Sequence, residues 1–382
     1  MIDQNKILLT PGPVPIPPYV LEALARPMIH HRGPEFARTL ETVRESLKQV
    51  FRTSQPVLIM ASTGSGAMEA AMVNILRRGD RVLVINSGKF GERWSKMAAV
   101  YGLRLLEYCV PWGEAADLGK IDSLLKEHPD CKAVFCQACE TSTGTVHPIR
   151  EIAELTAQLE DGLFVVDAIT ALGTMDLPMD EWHIDVMISG AQKAFMLPPG
   201  ISFIAMSERA QGRIQTSDLP VFYFDLKNEL KAYRKGETYF SSPVTHIRAL
   251  EVVLPEISGA NMEKRITRCR ALMNFTHKVC RAWGLTLYSK NPASGLTAVA
   301  VPDQIDGQHL RDLIEDRYHV TFMGGQDQLK GRIIRVGHIG YITDDDIKQG
   351  MMALGSALRD LGYGISSDIL RDAITTHEVE LH

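Results

Sequence analysis

Apolar residues fall into two rhythms along this chain. Phe36, Leu40, Val43, Leu47, Val50 and Phe51 step by three and four, which puts them on one face of a helix and marks that face as core. A shorter helix is expected just before it, carrying Tyr19, Leu21 and Leu24. Short apolar runs then take over. Residues 56–60, 81–85, 103–110, 133–137, 163–166, 186–189 and 201–205 read as strands, with helical stretches at 67–76, 90–100, 121–127 and 149–159. Strands that are apolar almost throughout, separated by helices, predict a mostly parallel sheet of seven-stranded type with helices on both faces.

The rhythm changes further on. A helix over 243–257, interrupted near Pro255, resumes over 262–283. Strands at 285–288 and 298–301, a helix at 307–317, strands near Val320 and Ile333 and a last helix over 344–361 follow. That order is α+β, and 382 residues are too many for one simple core. The expected division is an entry segment 1–15, a large domain 16–258 and a smaller C-terminal domain 259–382.

Composition narrows the function classes. Hydrophobic residues make up 45% and charged residues 23%, with a net charge of -5. Such a chain lacks the basic footprint of a nucleic-acid binder and the polybasic patch of a membrane-surface protein. No window approaches the ~20 apolar residues of a membrane span, and the N-terminal stretch has no signal-peptide core. Six cysteines are too sparse for a disulfide scaffold, so a cytoplasmic location is expected. Cys109, Cys131, Cys269 and Cys280 read as small core hydrophobes. Cys136 and Cys139 form a C-x-x-C. No second pair follows at zinc-like spacing and no helix starts at Cys136, so the strand-end reading is favoured over a redox or metal site.

Ligands of open parallel sheets sit at the C-terminal ends of the strands. The first strand ends in Ala61-Ser62-Thr63-Gly64-Ser65-Gly66, which runs into a helix. Hydroxyls and helix-terminal N–H groups there suit a phosphate, although the motif is neither a P-loop nor a dinucleotide fingerprint. The second is followed by Asn86-Ser87-Gly88-Lys89-Phe90-Gly91, where Phe90 opens a helix at the sheet edge, placed to stack on a flat cofactor or simply to fill the core. Glu140-Thr141-Ser142-Thr143-Gly144 reads as a polar turn. Asp167 ends a very apolar strand, where a carboxylate is costly unless it meets a cation or several donors. Lys193 follows another such strand. Partial desolvation would lower its pKa and make it an amine nucleophile.

With these motifs the chain resembles the class V aminotransferases, and among them the alanine–glyoxylate and serine–glyoxylate branch. The likeness runs from Leu8-Leu9-Thr10-Pro11-Gly12-Pro13 to Arg335-Val336-Gly337-His338-Ile339-Gly340, and includes Ser189-Gly190-Ala191-Gln192-Lys193. It implies pyridoxal 5′-phosphate as cofactor, held by Lys193 as a Schiff base, with Lys193 then acting as general base. It implies that Asp167 pairs with the pyridine nitrogen and that Phe90 stacks on the ring. Thr63, Gly64, Ser65 and Gln192 would hold the phosphate, and Thr141 would approach the ring hydroxyl. Arg335 would clamp the substrate carboxylate, and Gly12 would lie in a segment closing over the substrate. Tyr239 and Ser241 belong to a stretch lent to the neighbouring subunit, which implies a homodimer.

The expected reaction moves an amino group from alanine or serine to glyoxylate or pyruvate. Aspartate or phosphonate aminotransferases and a non-catalytic hydrogenase-associated subunit are the rivals. A cysteine desulfurase needs a nucleophilic Cys near Arg335, and no cysteine follows Cys280.

Overall fold

The computed structural model describes residues 6–377. Its centre is a seven-stranded sheet of β1 (Val57–Met60), β2 (Arg81–Asn86), β3 (Arg104–Cys109), β4 (Cys131–Gln137), β5 (Leu163–Asp167), β6 (Val186–Gly190) and β7 (Ser202–Met206). The spatial order is β1-β7-β6-β5-β4-β2-β3, and β7 alone runs antiparallel to the rest.

Alternation explains the two covered faces. Val57, Ile59, Leu83, Ile85, Phe164 and Val166 point into one apolar core, where the Phe36–Phe51 stripe and the Val244–Ile257 helix pack. Leu58, Met60, Val82, Val84, Leu163 and Val165 point into the other, under the Gly64–Ile75 helix and Trp94 of the Lys89–Val100 helix. The edge strand β3 is different. Cys109, expected in the core, is exposed there, because β3 has a hydrogen-bonded neighbour on one side only. The C-x-x-C cysteines are free and buried. Burial pushes both thiols up, away from the thiolate that redox or metal chemistry requires.

A second, smaller sheet follows: β8 (Leu296–Ala300), β9 (Met323–Gly324) and β10 (Ile333–Gly337), ordered β8-β10-β9 and antiparallel throughout. It packs in a third core with the Ala260–Ala282 and Asp344–Asp360 helices. Leu9 belongs to that core, and Ile7–Leu8 pairs in parallel with Val320–Thr321.

Three expectations fail in detail. The Val244–Ile257 helix runs through Pro255 unbroken; so close to the C-terminal end, the proline costs one ladder bond in a turn that is already closing. Residues 285–288 make a single bridge, Leu287 to Val299, rather than a strand. The Asp344–Asp360 helix is followed by another, Ser367–Thr376, capped by Ser366 and buried through Leu370, Ala373 and Ile374.

Candidate active site

The C-terminal ends of β5 and β6 set the geometry. Lys193 follows β6, is buried, and donates from Nζ to the Pro11 carbonyl at 2.7 Å. Burial, with the positive charge of Arg335 adding to it, lowers its pKa to about 8. Asp167 ends β5; its Oδ1 accepts from the Ile169 N–H at 2.9 Å. Burial raises its pKa to about 6, the one backbone donor pulling the other way. The positive charges of Arg93 and Lys193 also act on it but do not offset its desolvation.

The backbone of Pro11 and Gly12 lies directly over the lysine. A Cβ on Gly12 would sit 2.3 Å from Lys193 Nζ, and the residue has φ +137°, a conformation reserved for glycine. No side chain fits between the strap and the amine.

Arg335, on β10, is buried. It donates to the Gly324 carbonyl through Nε and Nη2 at 3.0 and 2.8 Å, and to the Thr141 carbonyl through Nη1 at 2.9 Å. Three of its five N–H groups are thus engaged and two remain for an incoming anion. Burial lowers its pKa to about 10, leaving it cationic at neutral pH. Arg332 is exposed, as a residue ahead of the strand should be. Thr141 Oγ1 shares a 2.6 Å bond with Thr170 Oγ1.

A phosphate fits what lies at the end of β1. The Gly64–Ile75 helix begins at Thr63, whose side chain makes no cap bond. Gln192 Oε1 is buried without a hydrogen-bond partner. A Cβ on Gly190 would lie 3.1 Å from that oxygen and 3.7 Å from the Gly64 nitrogen, so the Gln192 amide and the helix start converge. A Cβ on Gly64 would meet Ile169 Cδ1 at 2.4 Å. The uncapped N–H groups at the start of that helix form an anion cradle, and Asp167 supplies a site for a cation. One ligand carrying a phosphate and a protonated ring nitrogen matches that donor set.

Phe90 is half-buried at the start of its helix. Arg93, not singled out from sequence, sits with its guanidinium carbon 5.0 Å from the Phe90 ring centre and donates to Ser65 Oγ at 2.7 Å. Tyr239 and Ser241 are exposed. The Tyr239 N–H donates to Glu229, and Ser241 lines a cleft with Ala61, Tyr223 and Phe240. Among the described residues no group of three or more His, Cys, Asp or Glu could hold a metal ion, and no helix is long and apolar enough to cross a membrane.

Known proteins resemble this chain in sequence and fold. The family model for class V aminotransferases matches residues 18–348. A Synechococcus protein named soluble hydrogenase, small subunit, is 37% identical over 366 residues, 95% of each chain. The L-aspartate–glyoxylate aminotransferase of Paracoccus denitrificans is 32% identical over 96% of this chain and 94% of its own. Among solved structures, the ureidoglycine–glyoxylate aminotransferase of Bacillus subtilis superposes with a TM-score of 0.91 at 28% identity, covering 99% of both chains.

Proposed function

This chain belongs to the class V aminotransferases, and from that premise we propose that it uses pyridoxal 5′-phosphate bound at Lys193 to move an amino group from a small amino acid, alanine or serine, to a 2-oxo acid. Glyoxylate is the preferred acceptor in this reading, because the aminotransferase relatives named above carry it in their names. The observation that supports it most is the buried Lys193 amine beside Asp167, each held where an apolar strand of the central sheet ends, with buried Arg335 facing them from the middle of β10.

The cofactor, when bound, supplies an electron sink for the carbanion that forms at the substrate α-carbon. The chain supplies the rest. Thr63, Gly64, Ser65 and Gln192 hold the phosphate. Asp167 keeps a proton on the ring nitrogen by ion pairing, Phe90 lies against the ring, and Thr141 approaches its hydroxyl. Arg335 fixes the substrate carboxylate with its two remaining N–H groups. Lys193 Nζ, neutral above about pH 8, takes the α-proton and returns it. Gly12 and Pro11 leave no room for bulk water above the amine. The hydrogenase name of the Synechococcus relative does not displace this reading, since a subunit without chemistry has no use for a desolvated lysine.

Substrate class is tested through Arg335. Wild type and Arg335→Lys are assayed against alanine, serine and aspartate with glyoxylate and pyruvate. The variant should bind both amino and oxo acid ~10- to 100-fold more weakly, the equivalent of about 1.5–3 kcal/mol for hydrogen bonds to a charged group. Lys cannot reproduce the planar fork. Normal KM values in the variant would move the carboxylate site elsewhere.

The exposure of Tyr239 and Ser241 fits a role outside their own subunit, at the cofactor phosphate of a second copy. The protein should then sediment as a dimer of about twice 42.4 kDa. A fully active monomer would remove this shared site.

A further inference from the structure

We infer that Glu140 is a positioning residue that locks the Phe90 platform and the Arg335 clamp to one another. The inference rests on the aminotransferase reading above, and begins from a cost. Glu140 is fully buried, and desolvation raises its pKa. Such a side chain persists only where donors surround it.

Donors do surround it, from two distant stretches of chain. Oε2 accepts from the N–H groups of Phe90 and Gly91, both at 3.0 Å. Oε1 accepts from the Ser142 N–H at 3.0 Å and from Ser142 Oγ at 2.6 Å. Gln137 Nε2 adds a 3.3 Å contact to Oε2. Ser142 Oγ in turn accepts from the Lys89 N–H at 3.1 Å. The Lys89–Val100 helix starts at Gly88, which has no capping side chain. Its first three N–H groups are therefore satisfied from the turn that follows β4. Close packing reinforces the docking: a Cβ on Gly88 would come within 2.5 Å of Ser142 Oγ and 2.6 Å of Glu140 Cγ.

A buried polar row stands behind this cap. Gln137 Nε2 also donates to Ser87 Oγ at 3.0 Å, and His147 Nε2 lies 2.7 Å from the same hydroxyl. The Ala116 N–H donates to His147 Nδ1, which puts the ring proton on Nε2, pointing at Ser87. Ser87 is thus committed as an acceptor, and Gln137 is held with its amide turned to Glu140.

Between Glu140 and Ser142 lies Thr141, whose carbonyl receives Arg335 Nη1. One carboxylate consequently fixes the turn that carries a clamp contact and the helix start that carries Phe90. Phe90 lies on a helix that follows a strand of the large sheet and Arg335 on a strand of the small one, and this turn is a common brace. Glu140 touches neither the expected cofactor nor substrate, so its effect passes through Phe90 and Arg335.

The test is Glu140→Gln in the full-length chain. The amide turns two hydrogens toward donors on one side, so at least one pair of bonds is lost. Pyridoxal 5′-phosphate is titrated into cofactor-stripped protein by absorbance and circular dichroism, and steady-state constants are measured with the best donor of the panel. The expected result is a Kd for the cofactor about tenfold higher and a KM at least about fivefold higher, the scale of lost hydrogen bonds to a charged group. A kcat within about threefold of wild type separates positioning from partial unfolding, which lowers kcat through the active fraction and leaves KM alone. Ser142→Ala, a milder change, should shift Kd and KM the same way by a smaller factor. It decides the matter if Glu140→Gln does not fold. Unchanged Kd and KM, with borohydride still labelling Lys193 in wild type, overturns the role of Glu140. Wild-type protein that takes no label at Lys193 overturns the aminotransferase reading, and this inference with it.

Discussion

Lys193→Ala should abolish reductive labelling by borohydride in the presence of pyridoxal 5′-phosphate and lower transamination by at least ~10³-fold, within the range for removing a general base. Of the site lysines and arginines, only Lys193 combines burial with a pKa lowered to about 8. The sign follows from its causes. Burial and the nearby Arg335 charge both disfavour the ammonium form, so the neutral nucleophile dominates above about pH 8, more than two units below an ordinary lysine. Cofactor capture by the stripped protein should therefore speed up as pH rises, with a midpoint near 8. Peptide mapping and stopped-flow absorbance read both halves. A label on another lysine, or a midpoint beyond pH 10, would sink the assignment.

Asp167→Asn has the second large effect, and stability and activity should move in opposite directions. Turnover should fall by ~10³-fold or more, about 4 kcal/mol at 1.4 kcal/mol per factor of ten, because Asn keeps the shape but cannot hold a proton on the ring nitrogen. The cofactor-free protein should behave otherwise. Asp167 has a folded pKa of about 6, raised from 3.8. A raised acid binds its proton more tightly when folded, so its contribution is most favourable below pH 4 and is lost as pH rises through 6. At neutral pH the buried carboxylate then costs about 2–3 kcal/mol as an upper figure. Asn removes that cost, and cofactor-free Asp167→Asn should melt no lower than wild type at pH 7.5 and gain least at pH 4. Calorimetry at the two pH values, beside an activity assay, checks this. A variant that stays within a few-fold of wild-type turnover would remove Asp167 from the chemistry.

Why these two residues stood out in the sequence, and others did not, is a matter of local cost. A charge closing a run such as Leu163–Asp167 has no local compensation, so its expense is visible in the run itself. The other six strands of the central sheet, β3 apart, were legible for the same reason: apolar residues on both faces demand cover on both faces. Glu140 also follows an apolar strand, yet it read as part of a polar turn. What makes its burial tolerable is a pair of N–H groups fifty residues earlier, which no local pattern discloses. The Pro11 carbonyl over Lys193 is a main-chain atom and leaves no compositional trace. Arg93 reads as one more polar position on an amphipathic helix. Cys109 was misjudged because strand order, and with it which strand lies at the edge, is set by long-range packing. Tyr239 and Ser241 rested on resemblance alone, and one chain by itself leaves both exposed.

The strap over the lysine bears on how the molecule comes off the ribosome. Pro11 reaches Lys193 across 182 positions, and Arg335 reaches Thr141 across 194. Leu9 accepts a bond from the Gly337 N–H and packs in the C-terminal core. Synthesised well before its partner, the strap has no seat until the strand ending at Gly337 has emerged. The central sheet can therefore assemble early while its catalytic end waits for residues 333–337. Contacts so far apart in sequence form slowly, and during that delay apolar surface near Leu9 and Leu272 stays uncovered. Nascent chains stalled before residue 333 should carry a formed parallel sheet and no competence to bind the cofactor.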